Sequence, residues 1–195
     1  MVVIGILNLQ GAVSEHYDIS EKSLKKLGIS GEVKEVRYSD DVKGCDGIII
    51  SGGESTVIGK LIAKRGIDKA IIDNKIPVLG TCAGMVLLAK KTDFKQDLLG
   101  LMDIEVKRNA YGRQVNSFEK NINIFDKDFL GVFIRAPGLK SYDESKEDIE
   151  VLSVYDDEII AIKQGRNIAI SFHPELTDDT LIHEYFIGEV LKCAE

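Results

Sequence analysis

The pentapeptide Gly80-Thr81-Cys82-Ala83-Gly84 sets a thiol between two glycines, after the apolar run Ile76-Pro77-Val78-Leu79 and before Met85-Val86-Leu87-Leu88-Ala89-Lys90-Lys91. A G-x-C-x-G sequence between a strand and a helix is the thiol counterpart of the G-x-S-x-G nucleophile elbow. Such a turn strains the backbone of its central residue and needs small neighbours so that the nucleophile projects into open space. The helix N-terminus that follows favours thiolate over thiol. Most free cysteines are small buried hydrophobes, but a buried cysteine needs no flanking glycines, so the pattern points to a nucleophile. Cys45 and Cys193 lack this setting and read as structural.

A thiol nucleophile needs a base, and the chain has three histidines, His16, His173 and His183. His173 follows the apolar stretch Ile168-Ala169-Ile170-Ser171-Phe172 and precedes Pro174-Glu175. Ligands gather at the carboxyl ends of strands in α/β sheets. In extended backbone, residues two apart share a face, and Pro174 fixes φ between them. An imidazole can then take the thiol proton while the Glu175 carboxylate orients the ring and stabilises its charge. Alone, this pair would read as a strand-end salt bridge; beside a cysteine elbow it completes a Cys82-His173-Glu175 triad. His16 falls on the first expected helix and His183 on the last, and both read as structural or surface residues.

Acyl transfer through a thioester also requires donors for a tetrahedral oxyanion. The Ala83 N–H follows the nucleophile directly. Gly52-Gly53 offers a second donor, because a peptide between glycines can turn its N–H toward the site without a Cβ penalty. A glycine pair after a strand is otherwise a plain turn or a phosphate loop. No G-x-x-x-x-G-K-[ST] sequence accompanies it, which argues against phosphate.

These residues require a scaffold that brings several strand ends together. Val2–Leu7 is a continuous apolar run, as in a strand buried on both faces of a parallel sheet. Ser14 to Leu27 reads as a helix stopped by Gly28. Val33–Tyr38 is a second strand, and Asp46–Ile50 a third that enters Ser51-Gly52-Gly53-Glu54-Ser55-Thr56 before helical spacing resumes at Val57, Ile58, Leu61 and Ile62. Alternating β and α units predict an open, mostly parallel sheet flanked by helices. From Asp103 onward, short runs at Asp103–Lys107, Asn121–Phe125, Val132–Ile134, Glu150–Val154, Ile159–Ile162 and Ile168–Phe172 add strands, some of them antiparallel. Thr177 to Cys193 closes the chain as an amphipathic helix with Leu181, Tyr185, Val190 and Leu191 toward the core.

The 195 residues suit one compact domain. Lys plus Arg total 25 against 32 Asp plus Glu, a net charge of −7, so no basic field exists to attract nucleic acid. No apolar run approaches the ~20 residues that span a bilayer, and the N-terminus lacks the features of a signal peptide, so a cytoplasmic location is expected. Three separated cysteines without a CxxC pair suit neither disulfides nor zinc.

Taken together, GGES, GTCAG and HPE resemble the class I glutamine amidotransferases, α/β enzymes of flavodoxin-like fold that hydrolyse glutamine through a cysteine thioester. Leu9-Gln10-Gly11-Ala12, Arg108-Asn109-Ala110-Tyr111-Gly112-Arg113-Gln114 and Phe133-Ile134-Arg135-Ala136-Pro137 are similar to one branch, the glutaminase subunits of pyridoxal 5'-phosphate synthase. The resemblance implies Cys82 as nucleophile and His173 with Glu175 as relay. It matches Gly53, Glu54, Ser55, Arg108, Ile134 and Arg135 to glutamine-binding positions. It implies no cofactor and no metal, and a synthase subunit as the partner that receives ammonia. The chemistry agrees, since glutamine's ammonium wants a carboxylate such as Glu54 and its carboxylate a cation such as Arg108. Ser51 stands where relatives often carry proline. Glutaminases of histidine or purine synthesis share the triad but not the RNAYGRQ and FIRAP segments. Elbow-cysteine proteases, chaperones and stress proteins typically carry histidine where this chain has Ala83.

Overall fold

The computed structural model describes residues 1–108, 110 and 117–191, without the side chains of 190 and 191. In chain order the strands are β1 Val2–Leu7, β2 Gly31–Val36, β3 Gly47–Ile50, β4 Val78–Thr81, β5 Ala89–Thr92, β6 Met102–Lys107, β7 Ser117–Ile124, β8 Lys127–Ile134, β9 Gly138–Tyr142, β10 Ile149–Tyr155, β11 Glu158–Gln164 and β12 Asn167–Ile170. The helices are α1 Val13–Leu27, α2 Ser39–Val42, α3 Ser55–Lys64, α4 Ile67–Asp73, α5 Ala83–Leu88 and α6 Leu181–Leu191, with a 3-10 turn over Pro174–Leu176.

Seven strands form the main sheet in the order β10-β11-β12-β4-β3-β1-β2. The five from β12 to β2 run parallel, whereas β10 and β11 add antiparallel pairs at one edge. The parallel order β2-β1-β3-β4-β12 is the doubly wound, flavodoxin-like one. Central strands covered on both faces must be apolar throughout, and β3 and β4 are buried along their whole length. One face packs on α3, α4 and α5 through Ile58, Ile62, Ile67, Ile71 and Leu87. The other meets α1, α6 and the β7–β8 hairpin through Leu24, Ile182, Phe186, Phe129 and Phe133.

Local differences from the sequence reading have identifiable causes. The helix after the elbow stops at Leu88, and Ala89–Thr92 becomes β5, pairing with β6 in a separate three-stranded sheet with β9. The last helix starts at Leu181 rather than Thr177, because the Asp179 carboxylate accepts from the Leu181 N–H at 2.9 Å and takes the place of a helical carbonyl. Ile182, His183, Phe186 and Ile187 are its fully buried residues, while Leu181 and Tyr185 are only half-buried. The side chains of Val190 and Leu191, and all of Cys193, lie outside the described residues. Among the described residues no helix is long and apolar enough to cross a membrane.

Candidate active site

Parallel strands that share a direction place their carboxyl ends on one edge. The loops after β1, β3, β4 and β12 therefore converge, bringing together Gln10-Gly11, Ser51-Gly52-Gly53, Cys82 and His173. Cys82 sits at φ 50°, ψ −105°, outside the ordinary basins for a side-chain-bearing residue. Its N–H donates to the Ile170 carbonyl at 2.9 Å, tying the elbow to β12. The flanking glycines are required by contact: a Cβ on Gly84 would lie 2.2 Å from the Ile50 carbonyl oxygen, and one on Gly80 2.6 Å from the Gly84 backbone.

His173 is held from two sides. Its N–H donates to the Val132 carbonyl of β8 at 2.8 Å. The preceding Phe172 is fully buried against Phe129 and Phe133. Glu175, in the 3-10 turn, places Oε1 2.7 Å from His173 Nδ1, which leaves Nε2 for the thiol. Burial works against charge on this imidazole, but hydrogen bonds and charge from Cys82 and Glu175 outweigh it and push its pKa up to about 10. The ring thus carries a proton through neutral pH, the state that stabilises a thiolate beside it.

Cys82 and Ala83 line an open cleft together with Gly53, Glu54, Ser55, Val86, Arg108, Arg135 and Pro137. Eight of the nine residues named from sequence as catalytic or glutamine-binding are on this cleft or within the triad. Ile134, the ninth, has an exposed side chain, and its carbonyl oxygen faces Cys82 Sγ at 3.7 Å. Arg135 adopts φ 45°, the left-handed region. The two charges matched to the ends of glutamine meet each other: Arg108 Nη1 lies 3.4 Å from Glu54 Oε1. The Arg108 guanidinium stacks 4.6 Å above the Phe94 ring, and Ser55 Oγ donates to Gln96 at 3.0 Å. Such an exposed ion pair contributes only ~0–1 kcal/mol, so an incoming zwitterion can replace it at little cost. Asn109 and residues 111–114 of the segment after Arg108 lie outside the described residues.

On the oxyanion loop, Ser51 Oγ lies 3.1 Å from the Gln10 carbonyl oxygen and 3.3 Å from that of Gly52. Gln10 Oε1 accepts from the Glu54 N–H at 3.0 Å. Gly53 has φ 133°, a conformation suited to glycine. The Gly52 carbonyl thus faces Ser51 and Gly11, and the Gln10 side chain latches the loop. The particular contacts of Gln10, Phe94 and Gln96 join distant segments, so sequence patterns did not reveal them.

Of the two places open to His16 and His183, structural or surface, they take the structural one. Both are completely buried. His16 Nε2 lies 3.3 Å from Glu175 Oε2, behind the triad, and its Nδ1 lies 3.0 Å from His183 Nε2. Among the described residues no group of three or more His, Cys, Asp or Glu could hold a metal. The arrangement offers a nucleophile, a base with its orienting carboxylate and a polar cleft, the equipment for acyl transfer from a small amide.

Known proteins agree with this geometry. The chain is 72% identical over 195 residues, the full length of both, to a pyridoxal 5'-phosphate synthase subunit PdxT of Methanobrevibacter smithii. It is 49% identical over 193 residues to the protein of that name from Methanocaldococcus jannaschii, covering 98% of this chain and 100% of the other. A crystal structure of a glutamine amidotransferase superposes with a TM-score of 0.84 at 41% identity, covering 96% of this chain and 98% of that one. A glutaminase domain of a Trypanosoma brucei CTPS, at 16% identity and a TM-score of 0.66, shares the fold. The profile of the SNO glutamine amidotransferase family matches residues 6–192, and with an elbow cysteine, a histidine–glutamate pair and this fold on one chain, the protein belongs to that family.

Proposed function

We propose that the chain is a single glutaminase domain, residues 1–195, that hydrolyses L-glutamine to L-glutamate and ammonia. The ammonia passes to the synthase subunit of a pyridoxal 5'-phosphate synthase. The observation that carries the chemistry is the 2.7 Å contact of His173 Nδ1 with Glu175 beside the elbow thiol. The pathway follows from the relatives named pyridoxal 5'-phosphate synthase subunit PdxT.

In the first half-reaction, the Cys82 sulfur attacks the side-chain amide carbon of glutamine, and the electron pair of the C=O bond moves onto oxygen. The Ala83 N–H and the N–H of the Gly52–Gly53 peptide are the donors for that oxyanion. Collapse of the intermediate breaks the C–N bond as His173 gives its proton to the departing nitrogen, leaving ammonia and a thioester. Water then adds to the thioester, giving one proton to His173, and the C–S bond breaks to release glutamate and restore the thiolate beside the protonated imidazole. Glu54 and Arg108 bind the ammonium and carboxylate of the substrate, with Ser55, Ile134 and Arg135 around its path.

Ammonia released into water at neutral pH is protonated to non-nucleophilic ammonium, so hydrolysis is useful only when a partner is docked. The Gly52 carbonyl, held by Ser51 and packed on Gly11, gives the loop a resting state. A partner that engages Gln10-Gly11 can release it and turn the peptide N–H toward the oxyanion. The test is glutamine turnover by the purified chain with and without the synthase subunit, together with a Gly53→Val variant. Low activity alone, strong activation by the partner and no activation of the variant are expected. Full activity of the isolated chain, or normal activation of Gly53→Val, would refute the switch, and absence of turnover in both states would refute the glutaminase.

A further inference from the structure

We propose that His16 is a positioning residue for the triad, its neutral imidazole donating Nε2–H to Glu175 Oε2 so that Oε1 stays aimed at His173 Nδ1. This rests on the triad reading above.

Glu175 has a fully buried side chain. Its Oε1 is satisfied by His173 at 2.7 Å, whereas Oε2 makes no hydrogen bond of ordinary geometry among the described residues, and the nitrogen that faces it is His16 Nε2, 3.3 Å away. A buried carboxylate oxygen without a donor is costly, and a carboxylate held at one oxygen can rotate about its last side-chain bond. Two donors, one at each oxygen, remove that freedom.

The carboxylate also sets the hydrogen placement on both buried rings. A bare His16 Nε2 facing a carboxylate oxygen would be repulsive, so the hydrogen belongs on Nε2. Its Nδ1 is then a lone pair and must accept from His183 Nε2, 3.0 Å away. His183 Nδ1 is left as an acceptor, and that atom has no hydrogen-bond partner among the described residues. Donors point from His183 to His16 and from His16 toward Glu175, whose carboxylate also accepts, at its other oxygen, from His173 Nδ1–H. Thr81 Oγ1, one residue before the nucleophile, lies 3.3 Å from the same His16 nitrogen and shares the donor. The titratable groups facing His16 are Glu175, His173 and His183. Burial first, then His183 and His173, hold His16 well below the ordinary histidine pKa and keep it neutral.

The experiment compares His16→Gln with His16→Met in the full chain assembled with its synthase subunit. Glutamine and methionine have the same length, but only glutamine carries an amide N–H that can reach Glu175. His16→Met is expected to lower kcat for glutamine hydrolysis by about 10- to 100-fold with KM within about twofold, while His16→Gln stays within about threefold of the parent in both. Thermal unfolding checks that both variants are folded. If His16→Met does not fold, His16→Asn, whose amide falls one carbon short, takes its place with the same expectation. Equal kcat in the Gln variant and its comparator, or parental kcat in Met or Asn, overturns the assignment. Should the parent protein release no glutamate, the glutaminase reading has failed separately. His16 is then judged by the rate at which iodoacetamide alkylates Cys82, followed by peptide mass spectrometry. That rate should fall in Met or Asn and hold in Gln; equal rates in all of them refute the role.

Discussion

Gly52→Ala tests whether the oxyanion loop and the triad are packed as tightly as the distances indicate. Gly52 has no positive φ, so its backbone tolerates a side chain. The obstacle is His173: an added Cβ would lie 2.4 Å from Cε1, 3.3 Å from Nε2 and 3.4 Å from Nδ1. Reaching an ordinary contact of 3.4 Å requires a movement of 1.0 Å from 2.4 Å. In its resting arrangement the loop does not supply it by retreating, because the Gly52 carbonyl already rests on Gly11, where a Cβ would come within 2.2 Å of it. The ring must therefore yield, against its 2.7 Å bond to Glu175 and its backbone bond to Val132. A ~1 Å misplacement of a catalytic group costs about 10²-fold in rate, while overpacking of this kind costs ~1–3 kcal/mol of stability. The assay is thermal unfolding of the isolated chain, where the loop is at rest, with steady-state glutamine hydrolysis in the presence of the synthase subunit alongside to show whether release of the loop relieves the clash. Gly28→Ala is the control, since Gly28 sits at φ 67° as the C-cap of α1 with open space around its Cβ position. It should lose ~1 kcal/mol of stability and no activity. A Gly52→Ala protein with the thermal stability of the parent and kcat within about threefold of it would show that the loop or ring is not fixed as described.

Cys82→Ala should reduce turnover to background without loss of folding, and His173→Ala should be comparably severe. Glu175→Gln should retain more activity than either, because orientation is weakened while the base remains; equal tolerance of the His173 and Glu175 changes would point to another base. Glu54→Ala and Arg108→Ala should each raise KM by about 10-fold, since each leaves one charge of the substrate unpaired, and unchanged KM in both would refute the clamp. Stability should fall as the medium is acidified. His183, which burial holds down to about 3, binds no proton in the folded state between that value and its unfolded pKa near 6.5. The unfolded chain takes up that proton first, so each pH unit below about 6.5 costs ~1.4 kcal/mol from His183 alone. His16 adds in the same direction, whereas the raised His173 contributes stability that is fully present below about 6.5 and is lost as pH climbs from there through about 10. Thermal unfolding from pH 7 to pH 4.5 should show the slope, reduced in His183→Gln; an unchanged slope in that variant would refute the assignment.

Much of the scaffold was legible because strands covered on both faces leave unbroken apolar runs, as in Val2–Leu7 and Asp46–Ile50, and because glycines mark where chains touch. The elbow could be located from Gly80 and Gly84 alone, and contact geometry explains both. The HPE segment could be read because two residues in sequence make the interaction. Boundaries slipped where a tertiary contact overrode local pattern. Ala89–Thr92 continues a helical stretch, yet pairs with β6 because that edge is available. Gly138–Tyr142, with its short apolar content, becomes β9 for the same reason.

His16 shows why the remainder was not legible. Its sequence surroundings, Glu15 and Tyr17 on a charged helix, leave a structural and a surface place equally open, and half of α1 is exposed. Only the docking of α1 against α6 and the 3-10 turn brings residues 16, 175 and 183 together. The same segment enters α1 through Gln10-Gly11, which holds the oxyanion loop. This short stretch of chain thus touches both parts of the proposed reaction: the oxyanion loop of the proposed switch and the Glu175 carboxylate. Placing the latch before the helix and the brace within it separates them mechanically, since a loop can rearrange while α1, packed along the sheet by Leu24, stays fixed. A partner that engages Gln10-Gly11 can therefore change the oxyanion donors without disturbing the alignment of His173 with Glu175.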